Sequence, residues 1–242
     1  MTVEFVCRYG RRAFLMAYGK LWVMMKEVNA MKRLFYPLAV AALLGFFAIL
    51  VNYSNESVIR IDQSAAELLD GRVLLDGMSF IGDPWMIITV SLLLLVYLWV
   101  FRKNYRGMLF VFFSVGLGNV LNQLMKEWFE RPRPESPHDL ESFSFPSNHA
   151  MVGLLYLFTV AYFLSEASAS RKSKVIIWAV AVALAVTVAL SRVAGGEHYF
   201  SDVAAGSLLG YAWFVGVAVW YEIRERQFRN KAKTQKEEEF LD

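Results

Sequence analysis

A helix needs about 20 apolar residues to cross the hydrocarbon core of a bilayer, and this chain carries six apolar runs near that length. They lie at about Leu34 to Tyr53, Trp85 to Phe101, Met108 to Leu124, Ala150 to Leu164, Val175 to Leu190 and Val203 to Tyr221. Inside a bilayer the backbone must satisfy its own polar groups, so runs of this kind read as helices. The expected fold is therefore an all-α polytopic membrane protein with a six-transmembrane-helix bundle. Composition agrees: 57% of the 242 residues are hydrophobic and 19% are charged, far from the usage of soluble domains. Gly116, Gly118 and Asn119 interrupt the third run and fit either a buried packing face or a lipid-facing one.

Charge sets the expected orientation. Arg8, Arg11, Arg12, Lys20, Lys26, Lys32 and Arg33 precede the first run, and Arg102, Lys103 and Arg106 follow the second. Arg171, Lys172 and Lys174 follow the fourth run, and a basic cluster from Arg224 to Lys236 follows the last. Basic connections mark the cytoplasmic side, so both termini are expected inside an integral cell membrane protein. The first connection instead holds Glu56, Asp62, Glu67, Asp70, Asp76 and Asp83 against Arg60 and Arg72, which suits an outer loop. Because the basic clusters flank the apolar runs, the net charge of +3 implies no nucleic-acid partner. Three regions follow: an amino-terminal extension over residues 1–32, a six-span domain over 33–221 and a charged cytoplasmic tail over 222–242. Within the extension, "AFLMAYGKLWVMM" fits an interfacial segment or a poorly specified one. Cys7 is the single cysteine, so the chain forms no internal disulfide.

Two polar clusters stand out against this background. The segment from Lys126 to Asn148 and the segment "SRVAGGEHYFSD", residues 191–202, are separated by two runs. Two crossings return a chain to the side it left, so the clusters are expected to face one compartment near the outer surface. Lys126 and Arg133 stand seven residues apart, with Pro132 and Pro134 breaking the helix near Arg131. Arg131, Lys126 and Arg133 each fit a solvated rim as readily as a site. Ser147 is a candidate N-cap, which puts His149 in the first helical turn, where free backbone donors and the helix dipole favour an anion. A neutral histidine hydrogen-bonded at the rim is the plainer alternative.

His198 and Asp202 have helical i to i+4 spacing, so the carboxylate can accept the imidazole proton and leave the other nitrogen directed outward. Fixing the tautomer in this way makes the free nitrogen a better nucleophile or base. Arg192 lies six residues earlier, across Gly195 and Gly196, and a rim salt bridge of Arg192 with Glu197 or Asp202 is the structural alternative. Two histidines and a carboxylate also suit a metal, but the surrounding cations oppose one. They favour a phosphate, whose oxygens match arginine forks.

At these residues the chain resembles the type 2 phosphatidic acid phosphatase superfamily of membrane lipid phosphatases. The family's lysine followed after six residues by Arg-Pro reads here as "KEWFERPRP", with Lys126, Arg133 and Pro134 in place. Its Pro-Ser-Gly-His reads as "PSNH", and its third motif as "SRVAGGEHYFSD". The departure is Asn148 in the glycine position, where asparagine tolerates unusual backbone angles and can donate a hydrogen bond. The resemblance implies that His198 attacks phosphorus to form a phosphohistidine, with Asp202 orienting its ring. It further implies that His149 protonates the departing oxygen and then activates water. Lys126, Arg133, Arg192, Ser147 and Asn148 would bind the phosphate, with no metal or other cofactor. The expected partner is a phosphorylated lipid within the bilayer. The resemblance and outward site lean towards undecaprenyl diphosphate, with phosphatidylglycerol phosphate or a broader range of phosphatidic acids as alternatives. A lipid or phosphate transporter and a structural scaffold are the competing classes; the first lacks a polar relay through the helices to match the motifs gathered on one side, and the second leaves the complementary spacing of His149, His198 and Asp202 without a use.

Overall fold

In the computed structural model, residues 30–71, 77–134 and 142–239 are described. The expected interfacial stretch and His138 lie outside those residues. Two compact units divide the chain, Met1–Val40 and Ala41–Asp242. The described part of the first is the beginning of helix α1 (Ala30–Asn52), which contains Pro37. The second holds the end of α1 and all the elements that follow.

The acidic first connection folds into α2 (Glu56–Leu69) and a short 3-10 turn over Ser79–Gly82. Asn55 starts α2 by accepting the Ser57 amide on its side chain at 3.1 Å. Its pattern is inverted relative to a soluble helix, for Asp62 is buried while Ile59, Ile61 and Leu68 are exposed. Next comes α3 (Pro84–Val100), with proline at the first turn where its missing N–H costs nothing. Helix α4 (Tyr105–Phe129) then runs to the first polar cluster. The remaining helices are α5 (Asn148–Ala167), α6 (Arg171–Ala194) and α7 (Phe200–Glu239).

Five helices among the described residues are long and apolar enough to cross a membrane: Phe35–Asn52, Tyr105–Phe129, Asn148–Ala167, Arg171–Ala194 and Phe200–Phe228. This corrects the expected count of six. The run expected from Trp85 to Phe101 forms α3, whose 17 residues extend about 25 Å at 1.5 Å each, short of a core about 30 Å thick. Apolar composition marked that run correctly; its length does not suffice. The charged tail continues α7 as helix beyond the apolar part, to Glu239.

The fold is centred on α5, which is buried along most of its length, from Ala150 to Ser165. Glycines let its neighbours approach. A Cβ on Gly206 of α7 would lie 2.7 Å from the Ser147 carbonyl oxygen, and one on Gly210 would lie 3.0 Å from that of Met151. Spaced four apart, these glycines press α7 onto the start of α5, the close packing that small residues permit between membrane helices. At the other end, Phe110, Tyr162, Phe163, Phe214 and Tyr221 pack ring to ring. Asn104 Nδ2 closes that end by donating to the Tyr221 hydroxyl at 3.1 Å.

One irregularity shapes α4. Residues Phe112–Gly116 form a π-turn within it. The wider turn frees a backbone carbonyl, and the Trp213 indole donates to Phe113 O at 2.9 Å. Past the turn, Gly118, Asn122 and Lys126 face the interior. The helix stops where Glu130 adopts a left-handed conformation, φ 45°.

Candidate active site

The C-terminal ends of α4 and α6 and the N-terminal ends of α5 and α7 meet at one end of the bundle, bringing the two polar clusters together. The joint is partly backbone, since the Ser147 amide donates to Asp202 O at 3.2 Å. Asn122, buried in α4, steadies the entry to α5 by donating from Nδ2 to Pro146 O at 3.2 Å.

His198 sits just before α7, buried, with its amide bonded to Arg192 O at 3.1 Å. Arg133 NH1 lies 3.2 Å from its Nε2. A guanidinium only donates, so Nε2 presents its lone pair and the ring proton resides on Nδ1. On that side, Ser144 Oγ lies 3.2 Å from Nδ1 and donates to Asp202 Oδ2 at 2.5 Å. The direct Nδ1–Oδ2 separation is 3.6 Å, beyond a hydrogen bond. The expected histidine–carboxylate pairing thus runs through an intervening hydroxyl. Burial pushes the His198 imidazole down to about 3, with the Asp202 carboxylate opposing and Arg133 reinforcing the shift, so the ring is neutral near pH 7.

Asp202 is fully buried and saturated. Besides Ser144, it accepts the Tyr199 amide on Oδ2 at 3.1 Å and Arg131 NH1 on Oδ1 at 2.5 Å. Arg131 reaches on from NH2 to Asp62 Oδ2 at 3.2 Å, under the rings of Tyr53 and Tyr199. Asp62 also accepts the Ser201 amide and hydroxyl, each at 2.7 Å. Arg131 is therefore a buried strut, not a rim cation.

Of the other predicted residues, Arg133 contacts Nε2 of His198. Arg133 is spread over the mouth, donating to Ser142 O at 2.7 Å and Glu197 O at 2.8 Å. Lys126 is buried and its Nζ donates to Phe143 O. Arg192 is ion-paired with Glu197, the alternative its spacing had allowed. Ser147 holds the N-cap position of α5, yet its side chain makes no capping bond. Its buried hydroxyl and Asn148 Oδ1 have no protein partner among the described residues. His149, in the first turn, faces away to Asp83, with Nε2 3.1 Å from Oδ1. Among the described residues no group of three or more histidines, cysteines and acidic residues could hold a metal.

Sequence reading missed Ser144, Arg131's burial, Asp62 and Asp83. Each acts across a separation that local spacing does not encode: 58 residues from Ser144 to Asp202, 69 from Asp62 to Arg131 and 66 from Asp83 to His149. The acidic excess of the first connection was the one available signal for the two aspartates.

Cations facing a neutral imidazole at the end of membrane-crossing helices suit a phosphate carried on a lipid, and define an integral membrane lipid phosphatase. A family model described as "PAP2 superfamily" matches residues 107–226. Phosphatidylglycerophosphatase B of Bacillus subtilis (strain 168) is 32% identical over 162 residues, 65% of this chain and 78% of that protein. Lipid A 1-phosphatase of Rhizobium johnstonii is 33% identical over 118 residues, 43% of each chain. The crystal structure of a transmembrane PAP2-type phosphatidylglycerolphosphate phosphatase from Bacillus subtilis aligns with a TM-score of 0.69 and 27% identity, covering 76% of this chain and 96% of that one. The chain belongs to the PAP2 superfamily.

Proposed function

We propose that this membrane lipid phosphatase hydrolyses the phosphomonoester of phosphatidylglycerol phosphate through a phosphohistidine. The observation carrying the substrate is the likeness to the Bacillus subtilis phosphatase, which extends over 78% of its length and over 96% of the solved chain. It outweighs the lean towards undecaprenyl diphosphate.

His198 Nε2 is the nucleophile. Its lone pair is available at neutral pH, and Nδ1–H is anchored through Ser144 to Asp202. As the N–P bond forms and the ester P–O bond breaks, His149 gives a proton to the departing lipid oxygen. Water then attacks phosphorus as His149 takes its proton, and the N–P bond breaks to release phosphate and restore His198. Lys126, Arg133 and Arg192 neutralise the phosphoryl oxygens. The Ser147 hydroxyl, the Asn148 side chain and the amides at the start of α5 add donors where the helix dipole favours an anion. No step needs a metal. Arg102 and Lys103, with Arg171, Lys172 and Lys174, gather at the end of the bundle away from the site. By the distribution of positive charge, that end and the α7 extension face the cytoplasm and the site faces outward.

Phosphate release by the purified protein tests this reading, across phosphatidylglycerol phosphate, phosphatidic acid and undecaprenyl diphosphate, with chelator present. Fastest release from the first, and none from any with His198→Ala, is the expected result. Near-normal release by that variant overturns the mechanism, and preference for the diphosphate overturns the substrate.

A further inference from the structure

The residues matched by the family model begin at 107, yet a carboxylate well before them reaches one of the two histidines. Asp83 Oδ1 lies 3.1 Å from His149 Nε2. Asp83 occupies the N-cap position of α3, but its side chain makes no capping bond there; the backbone carbonyl alone engages the helix, accepting the Ile87 amide at 3.0 Å. The carboxylate is therefore not committed to starting α3. The turn before it is fitted to the ring. A Cβ on Gly82 would stand 2.6 Å from His149 Cδ2 and 2.6 Å from Val188 Cγ1, so bare backbone packs on the imidazole at this point. The same turn is fastened to α5 where the Tyr156 hydroxyl donates to Ile81 O at 2.6 Å, seven residues along from His149.

We propose that Asp83 is the positioning residue of His149, holding its ring and tautomer for proton transfer. This rests on the phosphohistidine reading above. A carboxylate only accepts, so the bond places a proton on Nε2 and leaves Nδ1 to exchange protons with the substrate. In the first half-reaction the Nδ1 proton passes to the lipid oxygen as the P–O bond breaks and its electron pair departs with that oxygen. The neutral ring keeps Nε2–H on Asp83. In the second, Nδ1 takes a proton from the attacking water, and the imidazolium formed is balanced by the carboxylate. The charged groups facing the ring are Asp83 from the turn, Arg192 from α6 and Arg133 from the segment after α4. Asp83 alone among them is an anion. It supplies the charge that the acid form needs beside two cations.

The test uses the full chain in detergent micelles with two substrates, phosphatidylglycerol phosphate and a nitrophenyl phosphate ester, whose leaving group departs without a proton. Proton transfer by a positioned group contributes roughly 10²- to 10⁴-fold, and Asp83→Asn keeps an acceptor while removing the charge. Its kcat on the lipid is expected to fall about tenfold or more with KM little changed, while nitrophenyl turnover falls far less. Asp83→Glu is expected to recover part of the loss. Unchanged kcat for Asp83→Asn on the lipid, or equal losses on both substrates, overturns the assignment. His198→Ala and His149→Gln are run alongside. If either turns over the lipid normally, the phosphohistidine reading fails and this one with it; if both fail while Asp83→Asn does not, this one fails alone.

Discussion

Arg131 donates to Asp202 Oδ1 at 2.5 Å, on the carboxylate oxygen that Ser144 does not use. Its other terminal nitrogen meets Asp62. A buried cation between two buried aspartates balances their charge and fixes Asp202 in direction, and this is what allows a hydroxyl to carry its influence to His198.

Arg131→Met removes that cation and leaves two carboxylates buried with no counter-charge. Breaking one partner of a buried pair costs about 3–5 kcal/mol, so the variant is expected to unfold at markedly lower temperature and to lose turnover. Asp62→Asn keeps one acceptor for Ser201 and leaves Arg131 paired with Asp202, so it should be milder. Thermal unfolding of both in detergent, ranked against wild type, checks the order.

Ser144→Ala opens the gap between His198 Nδ1 and Asp202 without removing either. With 3.6 Å between them, the carboxylate no longer fixes the tautomer. Turnover is expected to drop about 10- to 100-fold with substrate affinity kept, as for loss of one preorganised hydrogen-bonding group. Steady-state kinetics separating kcat from KM would reveal it; a change confined to KM would contradict it.

The neutral His198 has consequences for pH. Burial first, then Arg133, hold it down to about 3 against the ordinary 6.5. Between those values the unfolded chain binds a proton that the folded one does not, so this contribution to stability is complete above about pH 6.5. It is lost as pH falls, by up to about 1.4 kcal/mol per unit for one proton. His198→Gln should flatten the decline in thermal stability between pH 6.5 and 4. A wild-type slope unchanged by that substitution would refute the assignment.

Gly206→Ala forces a methyl to within 2.7 Å of the Ser147 carbonyl oxygen. Overpacking costs about 1–3 kcal/mol, more than the roughly 0.5–1 kcal/mol that alanine gains over glycine in a helix. Lower stability and slower turnover are expected together, because the clash parts α7 from the start of α5. Gly216→Ala, with nothing within 4 Å of the new Cβ, should stabilise slightly. The pair of melting temperatures separates packing from propensity.

Legibility in the sequence divided along physical lines. Apolar runs and charge asymmetry are local, so all five crossing helices among the described residues and the shared side of the two motif clusters could be anticipated. His198 and Asp202 were singled out by their four-residue spacing, although His198 lies just before α7 and the Ser144 hydroxyl stands between the two. Arg131 was left open between a solvated rim and a site because its partners, Asp62 and Ser201, come from α2 and α7 and become neighbours only on folding. Asp62 was hidden twice, since α2 turns its apolar side outward and buries its acid, reversing the pattern that a soluble helix would present. The crossing count failed at α3, where hydropathy recorded composition and helix length decided the outcome.

The π-turn in α4 sets the rotational phase of everything after it. Each residue of an α-helix advances about 100° around the axis. Deleting one residue from Phe112–Gly116 and restoring regular bonding would swing Asn122 and Lys126 off the interior face by about that angle, away from Pro146 and Phe143. The helix would remain as long and as apolar, and the membrane would accept it as before. In this sense the extra residue works as a phase shifter: it lets a helix that faces lipid and aromatic packing in its first half present an amide and an ammonium to the site in its second.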